Sequence, residues 1–242
     1  MDSILKATLV GLFFGTFGTT LGGIIGINIK RNSNKFLSFI LSFASGLMMS
    51  VVCFDLIPIA LETADIVSVI LGICAGIIIM IFCNMLVEKK FIKIQGNSLL
   101  KTGIIVSIGL AIHNIPEGLA IGSGFEASLE LGLSLAIVIC LHDLPEGISM
   151  AIPMKNGGMK KSRILKYVIL SGITTGVGAL IGAVLGEISE KIISLCLSFA
   201  AGSMLYIVSG ELIPKANELY SGRTTFIANI LGIVIGICVT IT

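Results

Sequence analysis

Residues 41–62 read LSFASGLMMSVVCFDLIPIALE, and residues 197–218 repeat the pattern as LSFAAGSMLYIVSGELIPKANE. The copies align without a gap and are identical at 12 of 22 positions. The alignment sets Met48 against Met204, Asp55 against Glu211, Pro58 against Pro214 and Glu62 against Glu218. Agreement this close at one offset marks a duplicated unit, and the relative direction of its copies decides the architecture.

Both copies lie in a chain built for lipid. Of its 242 residues 55% are hydrophobic and 12% charged, and a mean hydropathy of +1.06 is far outside the range of a soluble domain of this size. Apolar runs long enough to cross a hydrocarbon core of about 30 Å recur at roughly residues 5–28, 36–60, 65–87, 101–124, 129–153, 164–186, 192–214 and 224–242. The expected fold is an all-α integral membrane protein of eight transmembrane helices, one polytopic domain over residues 1–242. The first run is too long for a signal-peptide core and lacks a small-x-small cleavage site, so it reads as a spanning helix. The six cysteines all lie in apolar runs and form no CxxC pair. They read as small hydrophobes, not as a disulfide framework or a thiolate metal site.

Lys and Arg near helix ends, not the net charge of +2, set orientation. The connections after spans 1, 3, 5 and 7 hold Lys30, Arg31, Lys35; Lys89, Lys90, Lys93, Lys101; Lys155, Lys160, Lys161, Arg163, Lys166; and Lys215, Arg223. The opposite side has only Lys6 and Lys191, and carries Glu62, Asp65, Glu126, Glu130, Glu187 and Glu190. The basic side is expected to be cytoplasmic and both termini extracytoplasmic, in a multi-pass protein of the plasma membrane. Span 2 then runs outward and span 7 inward. Spans 1–3 and 6–8 therefore form an inverted repeat, a signature of secondary transporters that bind substrate near the midplane.

Spans 4 and 5 lie between the two halves and carry LAIHNIPEGLAIG (110–122) and VICLHDLPEGISM (138–150). Residues i and i+4 share a helix face, as do i and i+3, so His113 and Glu117 point one way with Asn114 on the flank. His142, Asp143 and Glu146 repeat the arrangement. His113 and His142 stand about 12 and 13 residues into their spans, near mid-depth at about 1.5 Å per residue. The result is a nitrogen and oxygen ligand set, suited to zinc and also to iron, manganese or cobalt. Pro116 and Pro145 cannot donate to the carbonyls of Ile112 and Leu141, which kinks each helix beside its ligands and frees a backbone oxygen. Gly118 and Gly147 let neighbouring helices approach closely.

A lone histidine in an apolar run is ordinarily a hydrogen-bonded packing residue. Five ionisable groups in two matching hexapeptides are different, because a carboxylate at the bilayer centre costs about 2.5–3.5 kcal/mol on insertion scales and is functional by default. Asp55 and Glu211 read as entrance and exit carboxylates on the pathway, or else as members of an ion pair or helix-end hydrogen bond. Met48 and Met204 read first as core fillers, and Glu126 and Glu130 as solvated loop charges.

HNIPEG paired with HDLPEG, on eight spans with a backward repeat, resembles the ZIP (Zrt- and Irt-like) divalent-metal transporters over the whole chain. The resemblance implies a 3+2+3 arrangement of eight helices, usually dimeric, moving metal toward the cytosol by an elevator-like shift of a domain that contains helices 4 and 5. It maps a primary metal site to His113, Glu117, His142 and Glu146, with a contribution from Met48. It maps a neighbouring second site to Asn114 and Asp143, bridged by the two glutamates. Zinc is the implied cargo, with iron, manganese, cobalt and cadmium carried by various members. Many bacterial members have Glu-Pro after Ser-Gly in helix 6. Here SGITTGVG places Thr175 and Gly176 at those positions, which weakens or removes the second site. The short connection between spans 3 and 4 has no histidine, so the His-rich loop of many eukaryotic members is missing.

The expected function is transport, with a divalent cation and the bilayer as partners, a homodimer as the assembly, and neither a bound cofactor nor a nucleic-acid partner. One alternative is a broad-specificity iron, manganese, cobalt or cadmium carrier. Others are a metal-gated channel or sensor and, less well matched, an intramembrane metallohydrolase, since the chain has no HExxH and no general base left once the carboxylates bind metal.

Overall fold

The computed structural model describes residues 3–29, 33–91 and 98–241, and every regular element among them is a helix. In chain order these are α1 (Ser3–Asn28), α2 (Asn34–Thr63), α3 (Ile66–Phe91), α4 (Ser98–Ala127), α5 (Leu129–Asn156), α6 (Lys161–Gly186), α7 (Glu190–Leu219) and α8 (Arg223–Ile241). The first seven are long and apolar enough to cross a membrane, and α8 is a shorter apolar helix. Of the basic connections, Lys30, Arg31 and Lys93 lie outside the described residues.

The duplicated unit repeats its local structure as well as its sequence. The Ser33 hydroxyl accepts from Phe36 N (3.1 Å) at the start of α2, and Ser189 accepts from Ile192 N (3.3 Å) at the start of α7. Both are N-caps that satisfy a free helix-end donor. Replacing Ser189 by alanine is expected to cost about 0.5–2 kcal/mol, read as a lower Tm of the purified protein. Both helices then widen into a π-helical turn, over Val52–Leu56 and Val208–Leu212, where Ile57 N bonds Val52 O and Ile213 N bonds Val208 O. The cause lies just downstream: Pro58 and Pro214 have no N–H and would crowd the carbonyl four residues back, and a wider turn relieves that clash. Asp55 and Glu211 each sit in one of these turns. At the head of α3, Asp65 bonds Ser68 N (3.0 Å) and Ser68 Oγ (2.7 Å), and these bonds hold its carboxyl below the ordinary carboxylate range.

The helices pack as two sets. In one, α1 packs on α5 and α6, and α4 packs on the same two. In the other, α2 pairs with α8 and α3 with α7. Small residues make the seams. A Cβ on Gly22 would collide with Leu144 O and one on Gly178 with Ile115 O, which closes the α1–α5 and α6–α4 contacts in the same way. In the second set Gly46 presses on Asn229 O of α8, and Gly202 on Ile73 O of α3. Contacts this close let van der Waals attraction and interhelical hydrogen bonds act where lipid offers no hydrophobic drive between helices. Ser194 Oγ bonds Ala60 O (2.7 Å) and Asn229 Nδ2 bonds Ser45 Oγ (2.8 Å) within the second set. Lys155 Nζ bonds Ile29 O (2.6 Å) within the first, capping the end of α1. An apolar cluster joins the two sets, with Ala120, Ile121, Leu135 and Ile139 on one side and Leu47, Met48, Leu197 and Met204 on the other.

Candidate metal site

Helices α4 and α5 run on through Pro116 and Pro145 and bring their polar residues together. His113, Asn114, Glu117, His142, Asp143 and Glu146 are all buried, none more than 3% exposed. One oxygen, Glu117 Oε1, lies 2.9 Å from His142 Nε2 and 3.2 Å from His113 Nε2. His113 Nε2 is also 3.2 Å from Glu146 Oε1, and His142 Nε2 is 3.8 Å from Asp143 Oδ1. The His142–Glu117 contact is a hydrogen bond. The two His113 contacts have ion-pair distance without hydrogen-bond alignment, which leaves His113 Nε2, both oxygens of Glu146, both of Asp143 and Glu117 Oε2 without hydrogen-bond partners.

Buried polar atoms are nearly always paired, and leaving carboxylates dry and unpaired is costly. So many unpaired atoms converging from two helices make a candidate cation site. Two sets of three ligands can be drawn, His113 with Glu117 and Glu146, and Glu117 with His142 and Asp143, and within each the ligand atoms lie within 4.8 Å of one another. Glu117 belongs to both. The donors are imidazole and carboxylate, the chemistry of zinc and of the other divalent first-row metals.

The family described as "ZIP Zinc transporter" matches residues 89–242 of the chain, both motif helices included. The chain belongs to the ZIP family. ZIP relatives extend the likeness over most of the chain. A protein of Oceanobacillus iheyensis named zinc transporter ZupT is 32% identical, with 90% of each chain covered. A ZupT of Clostridium perfringens is 30% identical over 97% of this chain and 95% of its own. The human protein named zinc transporter ZIP11 is 37% identical over 58% of this chain and 43% of its own length.

The other residues of this ZIP protein singled out from its sequence fall in distinct surroundings. Met48 is fully buried in the apolar cluster that also contains its repeat mate Met204. Asp55 is buried, whereas Glu211 is exposed and accepts a hydrogen bond from Asn84 of α3, which also reaches Tyr206 Oη at 3.3 Å. Glu211 thus lies in a side-chain hydrogen bond between α7 and α3, neither an ion pair nor a helix-end bond. Thr175 is buried where α6 crosses α1 and α4, its side chain against Gly15, its carbonyl against Gly118 and its hydroxyl without a partner.

Sequence reasoning missed Ser171. Asn114 Nδ2 donates to Ser171 O (2.9 Å). A carbonyl can only accept, so the amide is fixed with Oδ1, which has no partner, as the atom left for a cation. The motif's neighbourhood in α6, SGITTGVG, held the signal, because Ser171 opens it. The missing cue was depth: nothing in the residue order says that Ser171 lies level with Asn114.

Proposed function

We propose that this protein imports divalent metal cations into the cytosol, zinc foremost, as an alternating-access carrier with its binding site between α4 and α5. The observation that carries the proposal is the shared oxygen of Glu117, flanked by two imidazoles and backed by two further buried carboxylates. That arrangement binds through nitrogen and oxygen without thiolate, so an ion is held and can also leave. His113, Glu117, His142 and Glu146 are the main ligands in this reading. Asn114 Oδ1 and Asp143 adjoin them, Met48 contributes from α2, and Asp55 and Glu211 flank the path. The names of the ZupT and ZIP11 relatives support zinc as the cargo.

The proposed architecture is eight spans in a 3+2+3 order, with the basic ends in the cytosol, both termini outside, a plasma-membrane location and a homodimer as the assembly. The recurrence of caps, π-helical turns and glycine seams at one offset supports the inverted repeat. The packing supports an elevator-like step. The interhelical hydrogen bonds and glycine contacts described above tie α1, α4, α5 and α6 into one body and α2, α3, α7 and α8 into another. What joins the bodies is the apolar cluster, and in this reading they slide across it.

Uptake of labelled zinc into proteoliposomes tests the carrier. It is expected to saturate with zinc concentration and to fall as the pH is lowered from 7 to 5.5, because protons compete with metal for imidazole and carboxylate ligands. Flux that rises linearly with zinc would make the protein a channel.

A further inference from the structure

A groove of about 670 Å³ runs down the outer face of α1 where α6 leans on it, lined by Leu9, Phe13, Phe17 and Ile24 of α1 and Ile169 and Ile173 of α6. From Leu9 to Ile24 it is about 22 Å long at 1.5 Å per residue, more than the depth of one leaflet, about 15 Å. Phe13 and Phe17 stack with centroids 5.7 Å apart and stiffen its wall.

Its Leu9 end lies a turn from Lys6, and its Ile24 end is the more basic. The helices are antiparallel, since Gly11 meets Ala179, Gly15 meets Thr175 and Gly23 meets Val168. Continuing that register puts Lys166 level with Ile24. Lys166 and Arg163 are exposed, stand one turn apart on the helix face that carries Ile169 and Ile173, and have no carboxylate partner among the described residues. An apolar channel of leaflet length that ends beside two unpaired cations matches a lipid with an acyl chain and an anionic head.

We infer that the α1–α6 groove binds an anionic phospholipid, its acyl chain along Phe13, Phe17 and Ile24 and its phosphate at Arg163 and Lys166. Its assignment to the cytoplasmic leaflet rests on the orientation proposed above. Basic clusters at the cytoplasmic ends of spanning helices favour anionic headgroups, and here the groove adds a chain site beside the charges. Both walls belong to the body that carries the metal ligands, so a bound lipid travels with that body or holds it against the bilayer.

The test reconstitutes the full chain in phosphatidylcholine containing a minority of phosphatidylglycerol, repurifies it, and measures retained lipid by mass spectrometry. Phosphatidylglycerol is expected to be enriched about tenfold over its bulk share. The enrichment is expected to disappear both in Arg163→Ala/Lys166→Ala, which removes the headgroup site, and in Ile169→Trp, which fills the groove. Equal retention of the two lipids by the parent, or enrichment that survives either variant, would overturn the inference. A change of oligomeric state in Ile169→Trp with lipid retention unaltered would make the groove a contact between copies and overturn it too. Lipid retention is read without zinc, so its failure leaves the metal carrier standing.

Discussion

Glu117→Gln is expected to abolish zinc uptake, lowering the rate at least about a hundredfold while the protein still folds. The expectation follows from the position of one atom. Glu117 Oε1 is within 3.2 Å of both imidazoles, and Glu117 is the residue common to both ligand sets. Glutamine keeps the volume, so packing survives, but it removes the charge that two buried nitrogens face. Loss of even an outer-shell partner commonly costs 10–100-fold in metal affinity, and a shared ligand costs more. Replacing a residue of only one set, as in Asp143→Asn, is expected to weaken uptake less. Initial rates of labelled zinc uptake across a concentration series measure both. Comparable rates for the parent and Glu117→Gln would remove Glu117 from the site.

The second large effect lies in the seams. Gly118→Val and Gly147→Val are each expected to prevent recovery of folded, monodisperse protein. A Cβ at Gly118 would fall inside contact distance of Thr175 O, and one at Gly147 inside that of Thr19 O. Backbone cannot rotate away as a side chain can, so a whole helix must shift. Overpacking ordinarily costs about 1–3 kcal/mol, and here it also separates the ligand helices from α1 and α6. Gly109 is the control. It lies in α4 with open space where a Cβ would stand, no heavy atom coming within 4 Å of that point. Gly109→Ala is therefore expected to be tolerated or mildly stabilising, by up to about 1 kcal/mol. Yield and thermal stability of the three variants side by side give the comparison.

The helical segments were legible in the sequence because lipid imposes long uninterrupted apolar runs. The runs at 65–87 and 129–153 match α3 and α5 closely. The convergence of His113, Glu117, His142 and Glu146 was legible because the i, i+4 spacing fixes a shared face and the two motifs match. The π-helical turns were not foreseen, although Pro58 and Pro214 in matched positions carried their cause; a proline only forbids one hydrogen bond and does not say how the helix accommodates the loss. The extension of the repeat to α1 and α6 was expected from the loop charges, not from aligned residues. Thr19 and Thr175 are equivalent by contact, against Gly147 and Gly118, but in these helices the equivalence is one of glycine spacing and backbone approach more than of residue identity. The unlike surroundings of Asp55 and Glu211 depend on Asn84, which comes from outside the repeated stretch.

The metal's own coordination shell tests the central claim most directly. X-ray absorption at the zinc edge of the purified, zinc-loaded protein is expected to show a nitrogen and oxygen shell at about 2.0–2.1 Å with the outer scattering of two imidazoles, unchanged in Cys140→Ser and lost in His113→Ala/His142→Ala. A shell dominated by sulfur at about 2.3 Å, or an imidazole signal that survives loss of both histidines, would contradict a site built from HNIPEG and HDLPEG.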